Sequence, residues 1–232
     1  MSHDIYASMS AASAAWTQLE VVANNLANSS TAGFKEQRVS FDLEGAMDDP
    51  LADVYVSADL ATANFSDGPL VHDNVETHMA LRGKGFFLAG EGGNQVLVRS
   101  GSFQMDGEGF LVTSGGLKVQ GQGGSIQLLP GEKLTVASDG TILDQEGQEL
   151  DRLQIVSAAE LSPLGGTSWR ADGAVYEVEG VEVVQGALEG SNTDPMRSMT
   201  ELMEASRYFE AYQKAMQTSD QLDGQLNQMV GG

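Results

Sequence analysis

Apolar residues recur at helical spacing at both ends of this 232-residue chain and lose that spacing in between. Near the N-terminus the steps alternate between four and three residues, as in a heptad seam. The positions are Ile5, Met9, Ala12, Trp16, Leu19, Ala23 and Leu26. This spacing predicts an amphipathic helix about 33 Å long. Glu20 is the one charged residue between Ile5 and Asn28, and such a small, uncharged surface favours close packing in a multi-helix bundle.

The C-terminal pattern predicts a second long helix. Residues 192–194 (Asn-Thr-Asp) offer capping side chains, and Pro195 suits a first helical turn. Apolar and small residues then recur at steps of three, four or seven, namely Met199, Leu202, Ala205, Phe209, Tyr212, Met216, Ser219 and Leu226. Its other faces are charged and include Glu210 and Lys214 at the favourable i,i+4 spacing. We therefore expect this helix to be more exposed to water than the first.

The middle of the chain carries short β-type runs instead. They are residues 96–98, 110–113, 134–136, 141–143, 153–156 and 181–184. Gly92-Gly93, Asp106-Gly107 and Asp139-Gly140 predict tight hairpins whose glycines have positive φ. The predicted fold class is therefore α+β, mainly β. Long N- and C-terminal helices are expected to pack together in an assembly, around a central antiparallel β domain.

These patterns divide the chain into four predicted segments. Residues 1–34 are an N-terminal assembly helix with the loop after it, 76–184 a β-rich domain, and 185–232 a C-terminal assembly helix. Residues 35–75 show neither period and are interrupted by Asp48-Asp49-Pro50 and Asp67-Gly68-Pro69, which indicates an extended connector. Neither apolar seam has an obvious partner within the chain. We therefore expect both ends to be poorly ordered in the monomer and to fold on assembly.

Charge and composition exclude several classes of function. Lys and Arg number 12 against 33 Asp and Glu, for a net charge of -21, so nucleic acid and anionic membranes would be repelled. The chain has no Cys, which excludes disulfides and thiol chemistry. Its N-terminus lacks the pattern of a cleaved signal peptide, and no apolar stretch is long enough for a membrane helix.

Motifs of enzymes and cofactor sites are also missing. The sequence contains no P-loop, no nucleophile elbow and no metalloprotease motif. Residues 72–78 (His-Asp-Asn-Val-Glu-Thr-His) could form a metal site, but the polarity expected of a loop explains them equally well. We expect no catalytic residue, no cofactor, no metal and no small-molecule substrate.

Several strings of residues resemble the flagellar rod and hook protein family. The first is residues 24–35 (Asn-Asn-Leu-Ala-Asn-Ser-Ser-Thr-Ala-Gly-Phe-Lys), which we call the signature segment. The second is residues 186–192 (Gly-Ala-Leu-Glu-Gly-Ser-Asn) followed by residues 199–210. Residues 81–87 and 99–103 add weaker similarity in the β domain. Within the family, residues 3–13 are similar to the proximal-rod members.

The resemblance implies a structural subunit of the flagellar basal-body rod that polymerises through its terminal helices and is not an enzyme. It implies export in unfolded form through the flagellar type III apparatus, without a cleaved signal, and assembly in the periplasm. The expected partners are further copies of the chain and other rod proteins. Nucleic acid, membrane insertion and small-molecule substrates are not expected.

The seam residues and the signature segment are then expected to form the assembly interface. Locally, Asn28 is expected to cap the first helix in a left-handed conformation, and Gly33 to permit a turn before Phe34 docks. The predicted interface residues are Ile5, Met9, Ala12, Trp16, Leu19, Ala23, Asn25, Leu26, Asn28, Gly33, Phe34, Met199, Leu202, Ala205, Arg207, Phe209, Tyr212, Met216 and Leu226.

Two alternatives stay open on the sequence alone. One is a distal-rod or hook subunit of the same family. The other, from a different class, is a self-contained β-rich binding or enzyme domain whose helices pack against its own sheet.

Overall fold

The computed structural model describes residues 2–44, 55–58, 62–128, 133–144, 146–178 and 180–230. The chain divides into two compact units. The helical unit comprises Met1–Ala27, Glu36–Asn64 and Thr193–Gly232, and the β unit comprises Asn28–Lys35 and Phe65–Asn192.

Two helices and 21 short strands make up the regular structure of the described residues. Helix α1 spans Ser2–Ala27 and helix α2 spans Pro195–Val230. The strands are β1 (Gln37–Arg38), β2 (Phe41–Glu44), β3 (Tyr55–Ala58), β4 (Thr62–Ala63), β5 (Leu70–His72), β6 (Met79–Arg82), β7 (Phe86–Ala89), β8 (Val96–Val98), β9 (Phe103–Met105), β10 (Leu111–Thr113), β11 (Gln120–Gly121), β12 (Gly124–Ser125), β13 (Thr135–Val136), β14 (Thr141–Leu143), β15 (Glu149–Arg152), β16 (Ile155–Ala158), β17 (Leu161–Gly165), β18 (Ser168–Ala171), β19 (Val175–Glu177), β20 (Glu182–Gln185) and β21 (Ala187–Glu189). A 3₁₀ turn, Gly92–Asn94, lies between β7 and β8.

Helix α2 begins where the sequence places a cap and a proline. The Asp194 carboxylate accepts hydrogen bonds from the backbone N–H groups of Met196 at 2.9 Å and Arg197 at 3.3 Å. Pro195, at the first helical position, has no N–H that would need a partner. The predicted start of the second helix is confirmed.

Helix α1 ends at Ala27, and a turn follows it in which the N–H of Thr31 donates to the carbonyl of Asn28 at 3.0 Å. The predicted left-handed conformation of Asn28 is wrong, because Asn74 is the one non-glycine residue with positive φ in the described ranges. Asn28 uses its side chain locally instead, accepting a 3.2 Å hydrogen bond from the Thr31 hydroxyl. This side-chain hydrogen bond stabilises the turn without any residue in the left-handed conformation.

The two helices pack against each other in antiparallel directions. The rings of Trp16 and Phe209 have centroids 5.3 Å apart and planes inclined by 51°. Nearer the end of α1, Val22 lines a groove together with Arg197 at the start of α2. Ala205 of α2 is completely buried. This packing confirms the predicted pairing of the terminal helices, and it corrects the expectation that their seams lack a partner within the chain. Small side chains such as Ala205 let the two backbones approach.

The part of the helical unit that lies between the two helices in sequence, Glu36–Asn64, forms short strand pairs. Strand β1 pairs antiparallel with β4, and β2 pairs antiparallel with β3. In the β unit, β5 pairs with β21. The segment 35–75, expected to be an extended connector, thus contributes paired strands to both units.

The β unit confirms the predicted antiparallel β domain. Its largest sheet has six strands in the order β17-β18-β8-β7-β16-β19, and every neighbouring pair is antiparallel. Strand β6 pairs with β20, β9 with β10, and β11 with β12, while β13, β14 and β15 form a three-stranded sheet. The predicted run at residues 141–143 matches β14, and that at 96–98 matches β8.

One apolar core holds these sheets together. Phe87 and Phe103 meet edge to face at its centre, with ring centroids 5.0 Å apart. The core residues are Met79, Leu81, Phe87, Phe103, Leu111, Val119, Ile126, Leu128, Leu134, Val136, Ile142, Leu153, Ile155 and Val183. They come from at least seven strands, so burying them fixes the pairing of segments far apart in sequence.

The hairpin turns follow the predicted glycines with one exception. Gly92 and Gly140 have positive φ, as expected, but Gly107 does not, and Gly109 takes the left-handed position with φ 85. The Asp106 carboxylate accepts 2.8 Å hydrogen bonds from the N–H groups of Glu108 and Phe110. These bonds shape a longer turn, which moves the left-handed residue two positions along.

Of the helices in the described ranges, neither is long and apolar enough to cross a membrane.

Candidate assembly site

Helix α2 presents two apolar faces of different exposure. The inner face toward α1 consists of buried or half-buried residues, namely Ser198, Leu202, Ala205, Phe209, Tyr212, Met216 and Ser219. On the outer side, Met196, Met199 and Met203 are 73%, 47% and 57% exposed. Their steps of three and four residues align them in one row about 140° around the helix from the inner face. We call these three residues the methionine stripe.

The methionine stripe is limited to the beginning of α2. Further along the same side of the helix, the exposed residues are Arg207, Glu210 and Lys214. The outer face therefore changes from apolar to charged within four turns. An apolar row in water at this place costs free energy unless another surface covers it.

Helix α1 buries the seam predicted from its heptad spacing only in part. Met9 and Trp16 of that seam are 54% and 48% exposed, while Leu19, Ala23 and Leu26 are half-buried. The face that is buried consists of Ala12, Ala14, Ala15, Val22 and Asn25. By helical geometry this face lies about 90° from the predicted seam. Trp16 nevertheless packs its ring on Phe209 of α2, so the predicted seam is partly covered within the chain and partly exposed.

Asn25 serves the helical unit itself. Its side-chain amide donates to the carbonyl of Gln37 at 2.8 Å and accepts from the N–H of the same residue at 2.8 Å. Its side chain is nearly fully buried. These two hydrogen bonds satisfy the backbone N–H and C=O of Gln37 as a neighbouring strand would, and they hold β1 beside α1.

A groove of about 190 Å³ opens on the surface of the helical unit beside the paired helices. Its walls are Ala11, Ala14, Ala15, Gln18, Phe41, Tyr208 and Tyr212. Phe41 and Tyr208 are 42% and 58% exposed. The helical unit thus carries a partly aromatic groove in addition to its exposed apolar rows.

Within the β unit, the second half of the signature segment is fixed by a close backbone contact. Gly33 has φ 74, and its N–H donates to the carbonyl of Glu189 at 2.7 Å. A Cβ at this position would lie 2.5 Å from the backbone nitrogen of Ser100. Phe34 follows with 2% of its surface exposed. The predicted turn at Gly33 and docking of Phe34 are confirmed, since only glycine fits both the backbone angle and the space.

A buried ion cluster closes the signature segment. Glu189 accepts hydrogen bonds from the Lys35 ammonium at 2.7 Å and from Arg99 Nε at 2.5 Å. The side chains of all three are at most 3% exposed. The same carboxylate also accepts a 2.8 Å hydrogen bond from the backbone N–H of Gly68. One carboxylate therefore joins the end of the signature segment, strand β21 and the end of strand β8.

Both cations also donate to other groups nearby. Lys35 donates to the carbonyl of Ser66 at 2.8 Å. The Arg99 guanidinium donates to the carbonyls of Leu81, Gly83 and Gly85 at 3.2, 2.8 and 2.5 Å. It also lies 3.3 Å from the half-exposed carboxylate of Asp67. Such extensive hydrogen bonding offsets much of the cost of burying these charges.

Burial and pairing act in opposite directions on these groups. Burial lowers the pKa of Lys35, and its hydrogen bond to Glu189 opposes that change only in part. For Glu189, burial would raise the pKa, but the hydrogen bond and charge of Arg99, with help from Lys35, outweigh it and hold the pKa below its usual range. The carboxylate is therefore ionised at neutral pH, and Arg99 is its principal partner.

The structure distributes the predicted interface residues over several environments. Ala12, Asn25, Gly33, Phe34 and Ala205 are buried, whereas Arg207, like Met9, Trp16 and Met199, is exposed. The rest that can be placed are half-buried, and the side chains of Ile5 and Leu226 lie outside the described residues. Their role as an interface between subunits stays a prediction.

Sequence reasoning missed the ion cluster and two members of the methionine stripe. Lys35, Arg99 and Glu189 all occur in strings that resemble the family, but nothing in their spacing indicates that they meet. Met196 lies three residues before Met199 and Met203 lies four residues after it, so a search for a second apolar face on α2 would have found them.

The residues weighed as a metal site do not gather into one. His78 Nδ1 lies 2.5 Å from Asp73 Oδ2. Among the described residues, no group of three or more His, Asp or Glu side chains is placed to hold a metal ion.

Family models match three parts of the chain, in the order of its segments. Residues 5–35 match "Flagella basal body rod protein", residues 80–156 match "Flagellar hook protein FlgE/F/G D1 domain", and residues 184–229 match "Flagellar basal body rod FlgEFG protein C-terminal". The first match includes the signature segment to Lys35, and the last includes Glu189 and most of α2.

Relatives with curated names match over the full length. The flagellar basal-body rod protein FlgF of Caulobacter vibrioides is 30% identical over 100% of this chain and 99% of its own length. FlgF of Salmonella typhimurium is 31% identical, with 99% of both chains covered. The rod protein FlgG of Bacillus subtilis is 28% identical, over 96% of this chain and 97% of its own. On this full-length similarity, the chain belongs to the flagellar basal-body rod protein family.

Proposed function

We propose that this chain is a structural subunit of the proximal part of the flagellar basal-body rod. It polymerises through its terminal helices with further copies of itself and with other rod proteins. The family membership and the full-length similarity to proteins named FlgF support this role. The likeness to FlgG is nearly as strong, so a place in the distal rod is the second candidate.

The observation that carries the proposal is the apolar surface that the paired helices leave in water. Met9 and Trp16 on α1, and the methionine stripe on α2, are between 47% and 73% exposed. Exposed apolar side chains add no stability to an isolated protein, whereas contact with a helix of a neighbouring subunit would remove them from water. The groove walled by Phe41, Tyr208 and Tyr212 is a further apolar surface on the same unit.

The heptad seams are the proposed contact between subunits. On α1 the contact would use the exposed part of the seam, with Met9 and the part of Trp16 that Phe209 does not cover. On α2 it would use Met199 and the charged row that includes Arg207. The ordered signature segment and the ion cluster of the β unit would contribute by holding the chain ends in a fixed local structure.

The route to the rod is part of the proposal. We propose export through the flagellar type III apparatus in unfolded form, without a cleaved signal, followed by folding in the periplasm. The absence of Cys supports this route, because folding then needs no disulfide formation. We propose no cofactor and no enzymatic activity.

The proposal is tested by a charge placed on the accessible seam. Met9→Asp puts a carboxylate where a neighbouring helix would have to desolvate it, which we expect to abolish incorporation into basal bodies. Ser13→Asp is the matched control, since Ser13 is exposed on the same helix but off the seam. Both variants are expressed in a strain lacking its own copy, and purified basal bodies are probed for the chain. Normal incorporation of Met9→Asp would contradict the proposal.

A second pair of variants addresses the half-buried part of the seam. Leu19→Asp or Leu26→Asp should also abolish assembly, and the thermal transition of the β unit should remain. Loss of that transition in the purified variants would mean that these residues support the fold of the whole chain instead.

A further inference from the structure

The methionine stripe combines three properties that few methionines share. Met196, Met199 and Met203 are exposed, they form one row, and the row lies at the ordered beginning of a long helix. Most methionines in proteins fill cores, where oxidants do not reach them. Met79, completely buried in the β unit, is such a residue.

Thioether sulfur is the most easily oxidised apolar group in a protein. Oxidation converts a flexible apolar side chain into a polar one with a strong hydrogen-bond acceptor, and exposure governs how fast it proceeds. Three adjacent sulfoxides would turn the apolar row of α2 into a polar one. The helix itself would tolerate the change, because the stripe faces away from α1 and from the inner face that contains Ala205.

We propose that the methionine stripe is a reversible oxidation site that controls whether the unassembled subunit can join a second copy of the chain. The proposal rests on the proposed function, in which α2 forms part of the interface between subunits. Oxidation acts on the free subunit, where the three thioethers are accessible. In the assembled rod the neighbouring subunit shields them.

The chemical step needs an oxidant of the peroxide class. A sulfur lone pair attacks one oxygen of hydrogen peroxide, the O–O bond breaks, and a sulfoxide and water are formed. Sulfur loses two electrons and the peroxide gains them. Methionine sulfoxide reductases reverse the step by taking two electrons from a thiol donor and releasing water.

The first experiment maps the reaction on the intact chain. Purified protein is treated with hydrogen peroxide, and the sulfoxide at each methionine is followed by mass spectrometry of its peptides. Each residue of the stripe should react at least about tenfold faster than Met79. Met105, 39% exposed on strand β9, serves as an accessible methionine outside the helices. Rates at the stripe no higher than at Met79 would overturn the proposal.

The second experiment connects oxidation to association. Sedimentation velocity over a range of concentrations compares the reduced chain, the oxidised chain, and the oxidised chain after repair by the two reductases. Oxidation should weaken self-association by about tenfold or more, and repair should restore it. Equal association of the reduced and oxidised chains would overturn the proposal.

Variants assign the effect to the stripe. The triple variant Met196→Leu, Met199→Leu, Met203→Leu keeps Met9 and Met105 and should associate equally well with and without peroxide. If it still loses association on oxidation, Met9 or another methionine is responsible and the proposal is wrong. The triple variant to Gln, a polar side chain of similar length, should associate weakly without any oxidant, while Met105→Gln should not.

A failure of the proposed function gives a different result. If the reduced chain shows no association with itself and is also absent from basal bodies, the subunit role is contradicted and oxidation has no assembly to control. If the reduced chain associates and oxidation leaves that association unchanged, only the oxidation site is contradicted.

Discussion

The β unit and the helical unit bury different kinds of side chain. The β unit encloses large apolar residues such as Phe87 and Phe103 and, beside them, the three charged side chains of Lys35, Arg99 and Glu189. The helical unit buries mainly small residues, among them Ala14, Ala15 and Ala205, and leaves large apolar ones in water. A large apolar core and a buried ion cluster therefore hold the β unit together, whereas the helical unit depends on close packing of small side chains.

This difference teaches where each unit should be vulnerable. The β unit should be sensitive to the loss of any one member of its buried ion cluster, since the remaining charges would stay buried without a counter-charge. A unit held by small side chains is sensitive to added volume. Each of the following predictions alters one of these features and compares it with a matched position.

The largest effect is expected from removal of the central carboxylate. Glu189→Ala leaves Lys35 and Arg99 buried without a counter-charge, and the free energy of unfolding of the β unit should fall by about 3–5 kcal/mol. Denaturant titration followed by Trp169 fluorescence, in a Trp16→Phe background, measures this unit. Should the variant not fold, Glu189→Gln keeps the volume and removes only the charge.

An exposed ion pair is the control for Glu189. Glu182 lies 2.9 Å from Arg82, and their side chains are 47% and 60% exposed. Glu182→Ala should change the free energy of unfolding by no more than about 1 kcal/mol. Equal losses at Glu189 and Glu182 would show that the buried cluster has no special importance for the β unit.

A smaller loss is expected from a methyl group at Gly33. Gly33→Ala combines a positive φ with a Cβ only 2.5 Å from the backbone of Ser100, and should reduce the free energy of unfolding by about 2–4 kcal/mol. Gly92 has φ 61 and open space around it, so Gly92→Ala should cost only about 1 kcal/mol for the backbone angle. Identical denaturation midpoints would indicate that the signature segment moves away from Ser100 in solution.

Added volume tests the close packing of the helical unit. Ala205→Leu inserts three carbon atoms between α1 and α2 and should destabilise the helical unit by about 1–3 kcal/mol. Ala211→Leu, at an exposed position of α2, should stay within about 0.5 kcal/mol of the parent. Circular dichroism and Trp16 fluorescence, in a Trp169→Phe background, follow the helices. An unchanged Ala205→Leu variant would favour helices that pack only after assembly.

The smallest effect is expected from mild acid. The pKa of Glu189 is lower in the folded chain than its ordinary value of 4.5, because the hydrogen bonds and charges of Arg99 and Lys35 outweigh burial. The unfolded chain therefore binds more protons below pH 4.5. The contribution of Glu189 is present above that pH and is lost as the pH falls through the lowered pKa.

Lys35 acts at the other end of the pH scale. Its folded pKa lies below 10.5 because of burial, so its own contribution to stability increases as the pH rises from that lowered pKa to 10.5.

Denaturation of the β unit at several acidic pH values tests the prediction for Glu189. The free energy of unfolding should decline with falling pH, and the decline should be weaker in Glu189→Gln. An equal decline in both would assign the acid sensitivity to other carboxylates.

The sequence by itself determined the features that depend on neighbouring residues. Helical spacing identified both helices, the residues from 192 to 195 identified the start of α2, and most of the β runs correspond to strands. Such signals are local because hydrogen bonding and side-chain direction repeat within a few residues along a helix or strand. The strings of residues that resemble the family are local as well, since each is a continuous stretch of the chain.

Only the tertiary structure decided which surfaces are used. It buried Ala14, Ala15 and Val22 of α1 most deeply, beside the predicted seam, and left Met9 and Trp16 about half exposed. It brought Lys35, Arg99 and Glu189 together from positions 64 and 90 residues apart in the chain. Contacts between such distant residues depend on how every intervening strand pairs, and no spacing in the sequence records that outcome.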